Sequence, residues 1–492
     1  MSLVEISDLS FSYPDSSIPV FEHACVRFDT NWNLGLVGRN GRGKTTLLRL
    51  LMQKETEYSG TIKGVPPCVY FPAPVPNADM SAAAILRSIS PEAADWEIDR
   101  ELSLIGLDSD TAARAFSALS SGERTKVLLA ALFLVDGALP LIDEPTNHLD
   151  AAGRAAVAKY LRRKRGFILV SHDRTFLDSS VDHILALSRA DIDVQKGTFS
   201  TWFRKFSEQQ QSELQRNTQL RREIARLEDA AGRASAWSAK AEKEKQHLSD
   251  GQKDRGFASH RAAKMTRRAK SIAARSTRAA DEKRTLLRNL EKTDVLHLRG
   301  LQHPKNTLIR LSDVVPFYGD AAVCTPVSFE VQRGDRLLLS GANGSGKSTV
   351  FSTIIGMHES YAGKLEKASG LRISYVPQNT RQLHGTVEAY ARAVGADLSL
   401  MLSIAHKLGV CREDFGRDLA SLSEGQKKKM MIARSLSEPA HLYVWDEPLN
   451  YLDIYARVQI EKMIQEADTA MLLVEHDQTF RRAVGTGEVQ LT

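Results

Sequence analysis

The chain has 492 residues, of which 42% are hydrophobic and 26% charged, and its formal net charge is +6. One hydrophobic core rarely serves a chain of this length, so we expect two or three domains of ordinary folded composition, and the composition argues against disordered and collagen-like classes. No apolar run reaches the roughly 18 residues of a membrane span and the N-terminus lacks a secretory signal, so we expect a cytoplasmic protein that has no membrane association.

The first segment with recognisable chemistry is the glycine-rich sequence GRNGRGKT at residues 38–45. It follows the apolar run NLGLV, which predicts a strand, and it precedes an apolar helix start. A glycine-rich turn that opens a helix points consecutive backbone N–H groups at phosphate oxygens, so this P-loop predicts a nucleotide site. Lys44 would neutralise the β- and γ-phosphates, and Thr45 would bind Mg²⁺. The predicted nucleotide-binding residues are Gly38, Asn40, Gly41, Gly43, Lys44, Thr45 and Thr46.

Two acidic residues, Asp143 and Glu144, end the apolar run LPLIDE. At the end of a buried strand that faces the P-loop, Asp143 is predicted to bind Mg²⁺ directly or through water, and Glu144 to position the attacking water. A solvated turn would explain an isolated Asp-Glu pair as well. The apolar strand before the pair and its distance from the P-loop favour the catalytic interpretation.

Positive charge is concentrated in the middle of the chain. Residues 201–300 contain 24 Lys and Arg against 13 Asp and Glu, and residues 251–280 contain nine basic residues and one acid. The rest of the chain is mildly acidic. A focused positive segment is typical of proteins that bind a polyanion.

The same middle segment has helical rather than strand periodicity. Apolar residues recur at helical spacing in two runs, Leu220, Ile224, Leu227 and Ala231 and then Ala262, Met265, Ala269 and Ile272. A break near residues 235–258, which holds Gly251 and Gly256, would fold these runs into an antiparallel coiled-coil hairpin. A long solvated connector is the alternative interpretation.

The final third of the chain repeats the first. A second P-loop, GANGSGKS, occupies residues 341–348. In both halves the P-loop lysine lies 75 residues before a Leu-Ser-x-Gly motif, whose serine lies 23 residues before an Asp-Glu pair. We therefore predict that residues 1–200 and 301–492 are two copies of one α/β domain with a buried parallel sheet. The second set of nucleotide and Mg²⁺ ligands is Gly341, Asn343, Gly344, Gly346, Lys347, Ser348, Thr349 and Asp446, with Glu447 as the second catalytic glutamate.

The segments LSSGE at 119–123 and LSEGQ at 422–426 resemble the signature motif of ABC ATPases. The resemblance implies two ABC-type P-loop domains that bind ATP and Mg²⁺. Signature contacts to ATP would come from Ser120, Gly122, Ser423 and Gly425, and the switch histidines would be His172 and His476. Tyr13 and Tyr318 lie where an aromatic side chain would stack on adenine, although a surface position explains both tyrosines as well. DEPTNHLD and DEPLNYLD look like extended Walker B and D-loop segments that end in Asp150 and Asp453.

The family resemblance also implies that the two domains of one chain pair head to tail, so a monomer would suffice. Each site would combine one P-loop with the opposite signature, Lys44 with Ser423 and Lys347 with Ser120. ATP would bridge the two halves and its hydrolysis would remove the bridge.

Two departures from the family pattern concern the Lys44 site. The family's glutamine, an Mg²⁺ ligand, is present as Gln378 in the second copy, but Ala73 replaces it in the first. The signature glycine that precedes Gly122 and Gly425 in the family motif is replaced by Ser121 in one copy and by Glu424 in the other. Because Ala73 and Glu424 would both fall in the Lys44 site, we expect that site to turn over more slowly than the Lys347 site.

The order of cassette, basic helical hairpin and cassette is similar to the ABC-F family, whose members act on ribosomes. Phrases such as IGLDSD, GFILVSHDR and WDEPLNYLD look most like its Lsa-type antibiotic-resistance members. The resemblance implies a ribosome-associated protein whose basic linker enters the exit site of the 70S ribosome and contacts 23S rRNA and P-site tRNA. It would protect the peptidyl-transferase centre from lincosamides, pleuromutilins and streptogramin A compounds.

Other roles for a twin ABC ATPase stay open at this point. One is a translation factor that acts on stalled ribosomes without a drug, and a weaker one is the ATPase subunit of a transporter. DNA binding is disfavoured, because Cys25, Cys68, Cys324 and Cys411 are too scattered for the zinc modules of DNA-repair ATPases. The chain is also too short for the repair ATPases that carry very long coiled coils.

Overall fold

The computed structural model describes residues 2–14, 19–146, 149–188, 192–247, 264, 267–268, 271–275, 277–279, 296–342, 344–381 and 383–491, with the side chains of 237–247 outside the description. The chain divides into two compact units. One unit contains Met1–Trp202 and Thr293–Thr492, and the other contains Phe203–Lys292. Both P-loop domains therefore lie in the same unit.

The first domain contains two sheets. The strands are β1 Leu3–Phe11, β2 Phe21–Asp29, β3 Asn33–Gly38, β4 Ser59–Lys63, β5 Cys68–Phe71, β6 Leu139–Asp143, β7 Phe167–Val170, β8 His183–Leu187 and β9 Ile192–Lys196. A three-stranded antiparallel sheet has the order β2-β1-β4, and a six-stranded sheet has the order β5-β6-β7-β3-β8-β9. The six-stranded sheet is parallel except for the pair β8 and β9.

Helices of the first domain connect these strands. They are α1 Lys44–Leu51, α2 Ala82–Ile89, α3 Asp95–Leu104, α4 Ser121–Leu132, α5 Ala151–Arg162 and α6 Arg174–Ser180. Strands β3 and β7 are buried along their whole length, as continuous apolar runs in a parallel sheet should be. Leu36, Leu47, Leu141 and Val170 pack in one cluster that joins β3, α1, β6 and β7. This core fixes the P-loop beside the ends of β6 and β7.

The second domain repeats this architecture. Its strands are β10 Thr307–Tyr318, β11 Ala321–Ala322, β12 Val327–Gln332, β13 Arg336–Ser340, β14 Tyr361–Lys367, β15 Ile373–Val376, β16 Leu442–Asp446, β17 Ala470–Val474 and β18 Gly487–Gln490. Strand β10 pairs antiparallel with β11, β12 and β14, and a parallel sheet has the order β15-β16-β17-β13-β18.

Helices cover this second sheet in the same way. They are α8 Lys347–Ile355, α9 Val387–Val394, α10 Leu398–Lys407, α11 Glu424–Ser437, α12 Ile454–Glu466 and α13 Gln478–Val484. Leu339, Val350, Val444 and Leu472 form the counterpart of the first domain's core cluster. Two α/β P-loop domains with a helical insert between them, as predicted from the repeat, are confirmed.

The insert is dominated by one long helix, α7 Phe199–His247, of 49 residues. Phe199 and Trp202 are buried in its first turn, and Leu220, Ile224 and Ala234 are buried further along at 9%, 7% and 8% exposure, so one face of this later part is covered. The helix continues through the first part of the break predicted near 235–258, and Gly251 and Gly256 lie outside the described residues.

The second predicted run of the insert is described only in part. Residues 271–275 and 277–279 are helical, as the spacing predicts. Ile272, however, is 44% exposed, so it does not belong to a buried stripe. Ala262, Met265 and Ala269 lie outside the described residues. Among the helices that the structure describes, none is both long and apolar enough to cross a bilayer.

Candidate nucleotide-binding sites

Each P-loop joins a buried strand to a helix through left-handed glycines. Gly43 and Gly346, the residues that cap α1 and α8, both have φ of 86°. At Gly43 an added Cβ would lie 2.5 Å from Val20 Cγ1 and 2.8 Å from Phe21 Cζ. Backbone conformation and space both require glycine there. The predicted P-loop residues Gly41 and Gly344 are left-handed too, with φ of 79° and 84°.

The two P-loop lysines fold back over their own loops. Lys44 Nζ donates to Gly38 O at 2.8 Å, and Lys347 Nζ donates to Gly341 O at 2.9 Å. Both lysines are buried, at 9% and 7% exposure. Backbone carbonyls at the start of each P-loop therefore hold the ammonium group against its own loop.

The acids predicted to bind Mg²⁺ end β6 and β16. Asp143 Oδ2 accepts from Tyr70 OH at 3.0 Å and from Thr45 Oγ1 at 3.4 Å. Neither carboxylate oxygen of Asp446 has a hydrogen-bond partner in the described part of the chain. Burial raises the pKa of Asp446 to about 6, against the opposing effect of the Ser348 side chain. Buried, unpartnered carboxylate oxygens beside a hydroxyl suit a hard cation such as Mg²⁺.

The residues after these acids, Glu144 and Glu447, are in the left-handed region, with φ of 51° and 46°. Their backbone N–H groups donate to Val170 O and Val474 O, each at 2.9 Å. This conformation costs a residue with a side chain about 1–2 kcal/mol, so the surrounding fold imposes it. Such strain is concentrated at functional sites, and here it occurs at the same position in both copies.

A histidine lies beside each glutamate. His172 Nε2 is 3.3 Å from Glu144 Oε1, and His476 Nε2 is 3.5 Å from Glu447 Oε1. Burial lowers the pKa of His172 well below its ordinary value, with a further contribution from the Lys44 charge. His172 is therefore neutral at physiological pH.

The two glutamates differ in protonation. Burial and the neighbouring Asp143 raise the pKa of Glu144 to about 8. For Glu447, hydrogen bonds from His476 and Gln378 outweigh burial and lower the pKa to about 2. Without nucleotide at neutral pH, Glu447 is ionised and Glu144 is mostly protonated.

The signature serines both start a helix. Ser120 Oγ accepts from Glu123 N at 3.2 Å, and Ser423 Oγ accepts from Gln426 N at 3.3 Å. In each copy the residue three positions on returns a bond to the serine N–H, which completes a capping box. The sequence L-S-x-G-[E/Q] thus fixes a helix N-terminus, a position suited to anionic phosphate.

The structure brings the first P-loop against the second domain. Asn40 N donates to Asp453 Oδ2 at 3.2 Å, and Asn40 Nδ2 donates to Tyr451 O at 3.0 Å. A Cβ added to Gly425 would lie 2.9 Å from Asn40 Nδ2. Lys429 Nζ holds Asp453 at 2.8 Å, with both side chains at most 2% exposed. The first P-loop therefore contacts both the signature helix and the D-loop of the other domain.

The Lys347 half of the interface lacks these contacts. No hydrogen bond or ion pair joins the described residues of 341–348 to the signature at 119–123 or to Asp150. Asp150 and Ser120 are exposed. Asn343 lies outside the described residues. The structure thus brings the first P-loop against the signature helix and D-loop of the second domain, and shows no such contact between the described residues of the Lys347 pairing.

The two tyrosines expected at adenine have different surroundings. Tyr13 OH lies 3.0 Å from the hydroxyl of Thr46 on α1. Tyr318 is 64% exposed, and its ring centroid is 4.9 Å from that of His358. Only Tyr13 is hydrogen-bonded to its P-loop helix.

Sequence reasoning missed two polar residues that orient the site. Tyr70 bonds Asp143, and Lys429 bonds Asp453. Their recurrence was readable, because Tyr375 and Lys126 occupy the matching positions of the other copy. Neither position belongs to the motifs from which the sites were predicted.

Comparison with known proteins agrees with this geometry. The family model described as ABC transporter matches residues 22–147 and 324–450. The ATP-binding protein Uup of Caulobacter vibrioides is 27% identical over 97% of this chain and 75% of its own length. The ribosome protection protein VmlR of Bacillus subtilis is 25% identical over 97% of this chain and 84% of its own.

A solved structure is similar along almost the whole chain. It is the complex of the archaeal ribosomal stalk protein aP1 with the archaeal ribosome recycling factor aABCE1, which matches at a TM-score of 0.63 and 19% identity over 98% of this chain and 87% of that one. At this identity the likeness concerns the fold. The two family matches fall on the two P-loop domains, and the chain belongs to the ABC transporter family, carrying that family's ATPase domain in two copies.

Proposed function

We propose that the chain is an ABC-F ATPase that binds the 70S ribosome at the tRNA exit site and protects the peptidyl-transferase centre from lincosamide, pleuromutilin and streptogramin A antibiotics. Residues 1–200 and 301–492 are the ABC domains, and 201–300 form the linker that reaches 23S rRNA and P-site tRNA. The supporting observation is the basic helical insert between two ABC domains, in a chain similar over 97% of its length to a ribosome protection protein. This role places the protein in the cytoplasm, on ribosomes.

The insert presents its positive charge to solvent. Every basic residue described between 264 and 279 is exposed, namely Lys264, Arg267, Arg268, Arg275 and Arg278. Basic side chains in water bind the RNA backbone by releasing its counterions, which gives affinity without base readout. An exposed basic helical segment of this kind suits a groove in ribosomal RNA.

The ABC domains supply the ATP-dependent step. Lys44 and Lys347 bind the phosphates, and Ser423 and Ser120 contact the nucleotide bound to the opposite P-loop. Glu144 and Glu447 position the attacking water, with His172 and His476 beside them. ATP thus closes the interface, and its hydrolysis opens it.

The carboxylates and hydroxyls beside each P-loop fit a magnesium ion. Thr45 and Asp143 would hold it in one site, and Ser348, Asp446 and Gln378 in the other. Bound there, Mg²⁺ supplies positive charge to the β- and γ-phosphate oxygens. The orphaned carboxylate oxygens of Asp446 support this assignment.

Ribosome binding is tested by co-sedimentation of the Glu144→Gln/Glu447→Gln protein with 70S particles. We expect association with ATP and not with ADP, because the variant binds ATP but does not hydrolyse it. The matched control is a Lys44→Ala/Lys347→Ala protein, which should stay in the supernatant. An ATP-bound Gln variant that never pellets with ribosomes would refute the ribosomal role.

Drug protection is tested by the susceptibility of cells with and without the gene, measured together with growth in drug-free medium. Protection predicts a higher inhibitory concentration for the three drug classes and no change for an aminoglycoside. Unchanged susceptibility together with a growth defect in drug-free medium would indicate a factor for stalled ribosomes and contradict the protection role.

A further inference from the structure

Equivalent residues of the two ABC domains meet at the centre of their interface. Thr175 and Thr479 each lie three residues after the switch histidine of their copy. Their hydroxyls are 3.2 Å apart. The contact marks a pseudo-two-fold axis, so residues on its two sides can be compared pair by pair.

On the side of the Lys44 site, an arginine crosses the interface. Arg174 Nη2 donates to Glu461 Oε2 at 2.5 Å and lies 3.9 Å from Asp477 Oδ2. The side chains of Arg174 and Glu461 are only 11% and 17% exposed. A charge pair this well shielded from water is screened little by salt.

Asp477, the second carboxylate beside Arg174, connects this ion pair to the D-loop that contacts the first P-loop. Asp477 lies 3.5 Å from Arg457 Nη1, and Arg457 Nε donates to Leu452 O at 3.0 Å. The next residue, Asp453, accepts from Asn40 N. Arg174 of the first domain is thus connected through three contacts to the residue that closes its own P-loop.

On the other side of the axis the crossing contact is missing. Gln478 stands at the position of Arg174, and Ala158 at the position of Glu461. Both line a cavity of about 370 Å³ together with His476. No ion pair can form between a glutamine and an alanine.

The connection to the D-loop within the first domain is nevertheless intact on that side. Arg154 Nη1 is 3.1 Å from Asp173 Oδ2, and Arg154 Nε donates to Leu149 O at 3.1 Å. These contacts repeat those of Arg457 with Asp477 and Leu452. The crossing residue is the difference, and Asp150, at the end of that D-loop, is exposed.

We infer that Arg174 is a positioning residue for the Lys44 site: its contacts with Glu461 and Asp477 hold the second domain's D-loop against the first P-loop. Among the described residues, no equivalent ion pair crosses the interface at the Lys347 site. This rests on the proposed pairing of each P-loop with the opposite signature. Arg174 acts through Asp453 and Asn40 and touches no nucleotide itself.

The test measures ATP kinetics of each site separately. In a Glu447→Gln background, turnover reports the Lys44 site, and in a Glu144→Gln background it reports the Lys347 site. Arg174→Gln reproduces the residue found in the other copy. We expect it to lower kcat/KM of the Lys44 site about tenfold, mainly through KM, and that of the Lys347 site by less than about twofold.

Three further variants make the result specific. Glu461→Gln should reproduce the effect from the other domain, and Arg174→Lys, which keeps a positive charge facing both Glu461 and Asp477, should keep kcat/KM within about threefold of the parent. The matched control, Gln478→Ala, should leave both sites within about twofold. Thermal melting checks that each variant is folded.

Equal losses at both sites, or an Arg174→Lys protein as impaired as Arg174→Gln, would overturn the positioning role. Ser423→Arg in the Glu447→Gln background separates this failure from failure of the pairing itself. If the pairing is wrong, Ser423→Arg leaves turnover of the Lys44 site unchanged. If the pairing is right and only the positioning role of Arg174 is wrong, Ser423→Arg abolishes that turnover while Arg174→Gln does not alter it.

Discussion

Gly425 lies where the second ABC domain meets the first P-loop. A Cβ at this position would be 2.6 Å from Tyr451 O and 2.9 Å from Asn40 Nδ2. Gly425→Ala should therefore displace the D-loop at Tyr451 and crowd Asn40 at the Lys44 site, and so raise KM for ATP there about tenfold, a cost of about 1.4 kcal/mol. The measurement is steady-state ATPase activity in the Glu447→Gln background.

Thermal melting separates this effect from a loss of folding, because the contact with Tyr451 O lies within the second domain. Gly416→Ala is the matched control, since an added Cβ there meets no atom within 4 Å. If Gly425→Ala and Gly416→Ala have the same KM as the parent, the close approach at Asn40 does not govern ATP binding.

Asp446 gives a prediction for pH. The pKa of Asp446 is raised to about 6 in the folded protein, from an ordinary value of 3.8. The folded state therefore binds this proton more tightly than the unfolded state does, and the folded protein loses stability as pH rises through 6. Without Mg²⁺ and ATP, Asp446→Asn should raise the free energy of unfolding at pH 8 by at most about 3 kcal/mol. Near pH 4 the gain should vanish. Thermal melts in EDTA at both pH values measure it, and an equal gain at each would contradict a buried ionised carboxylate.

Sequence motifs predicted a set of residues for each site, but not the backbone conformations and side-chain partners of those residues. Glu144 and Glu447 were predicted, and their left-handed backbones were not, since that conformation follows from the strand and helix around them. Arg174 escaped prediction because its partner Glu461 lies 287 residues away, and Lys429 because it lies outside the motifs, although its recurrence as Lys126 was readable. Pairing across a fold leaves no local periodicity to read.

At the scale of elements, the helical spacing of the insert was informative. Of the predicted stripe, Leu220 and Ile224 are buried in α7, whereas Leu227 and Ala231 are half-buried. The end of the helix was less readable, because Ala, Glu and Lys in residues 238–247 all favour helix and continue α7 as far as His247. Ile272 shows the limit of spacing arguments, since it is exposed.

The covered face of α7 predicts the effect of a buried charge. Ile224 is 7% exposed, so Ile224→Asp places a carboxylate in a position shielded from water. We expect a loss of about 2–4 kcal/mol in the stability of the insert, seen as reduced far-UV ellipticity and a separate low-temperature melting phase. Gln219→Asp adds the same charge on the exposed face and should change neither signal. Identical melts for the two variants would mean that this face is not covered.

At the scale of the whole molecule, matched spacing predicted two copies of one domain, and the sheets and clusters confirm it. The sequence also predicted the pairing of Lys44 with Ser423, through family resemblance. It could not predict that the first P-loop contacts the opposite D-loop while the described residues of the second P-loop make no such contact. That difference depends on side chains such as Gln478 and Ala158, whose significance is visible only beside their symmetry mates.

The central claim, that ATP is shared between the two ABC domains, is tested most directly by counting the ATP retained by Glu144→Gln/Glu447→Gln protein after free nucleotide is removed. We expect about two molecules per chain. Adding Ser423→Arg should lower the number to about one by emptying the Lys44 site, and adding Ser120→Arg should do the same at the other site. Retention of about two ATP molecules in both serine variants would contradict the account.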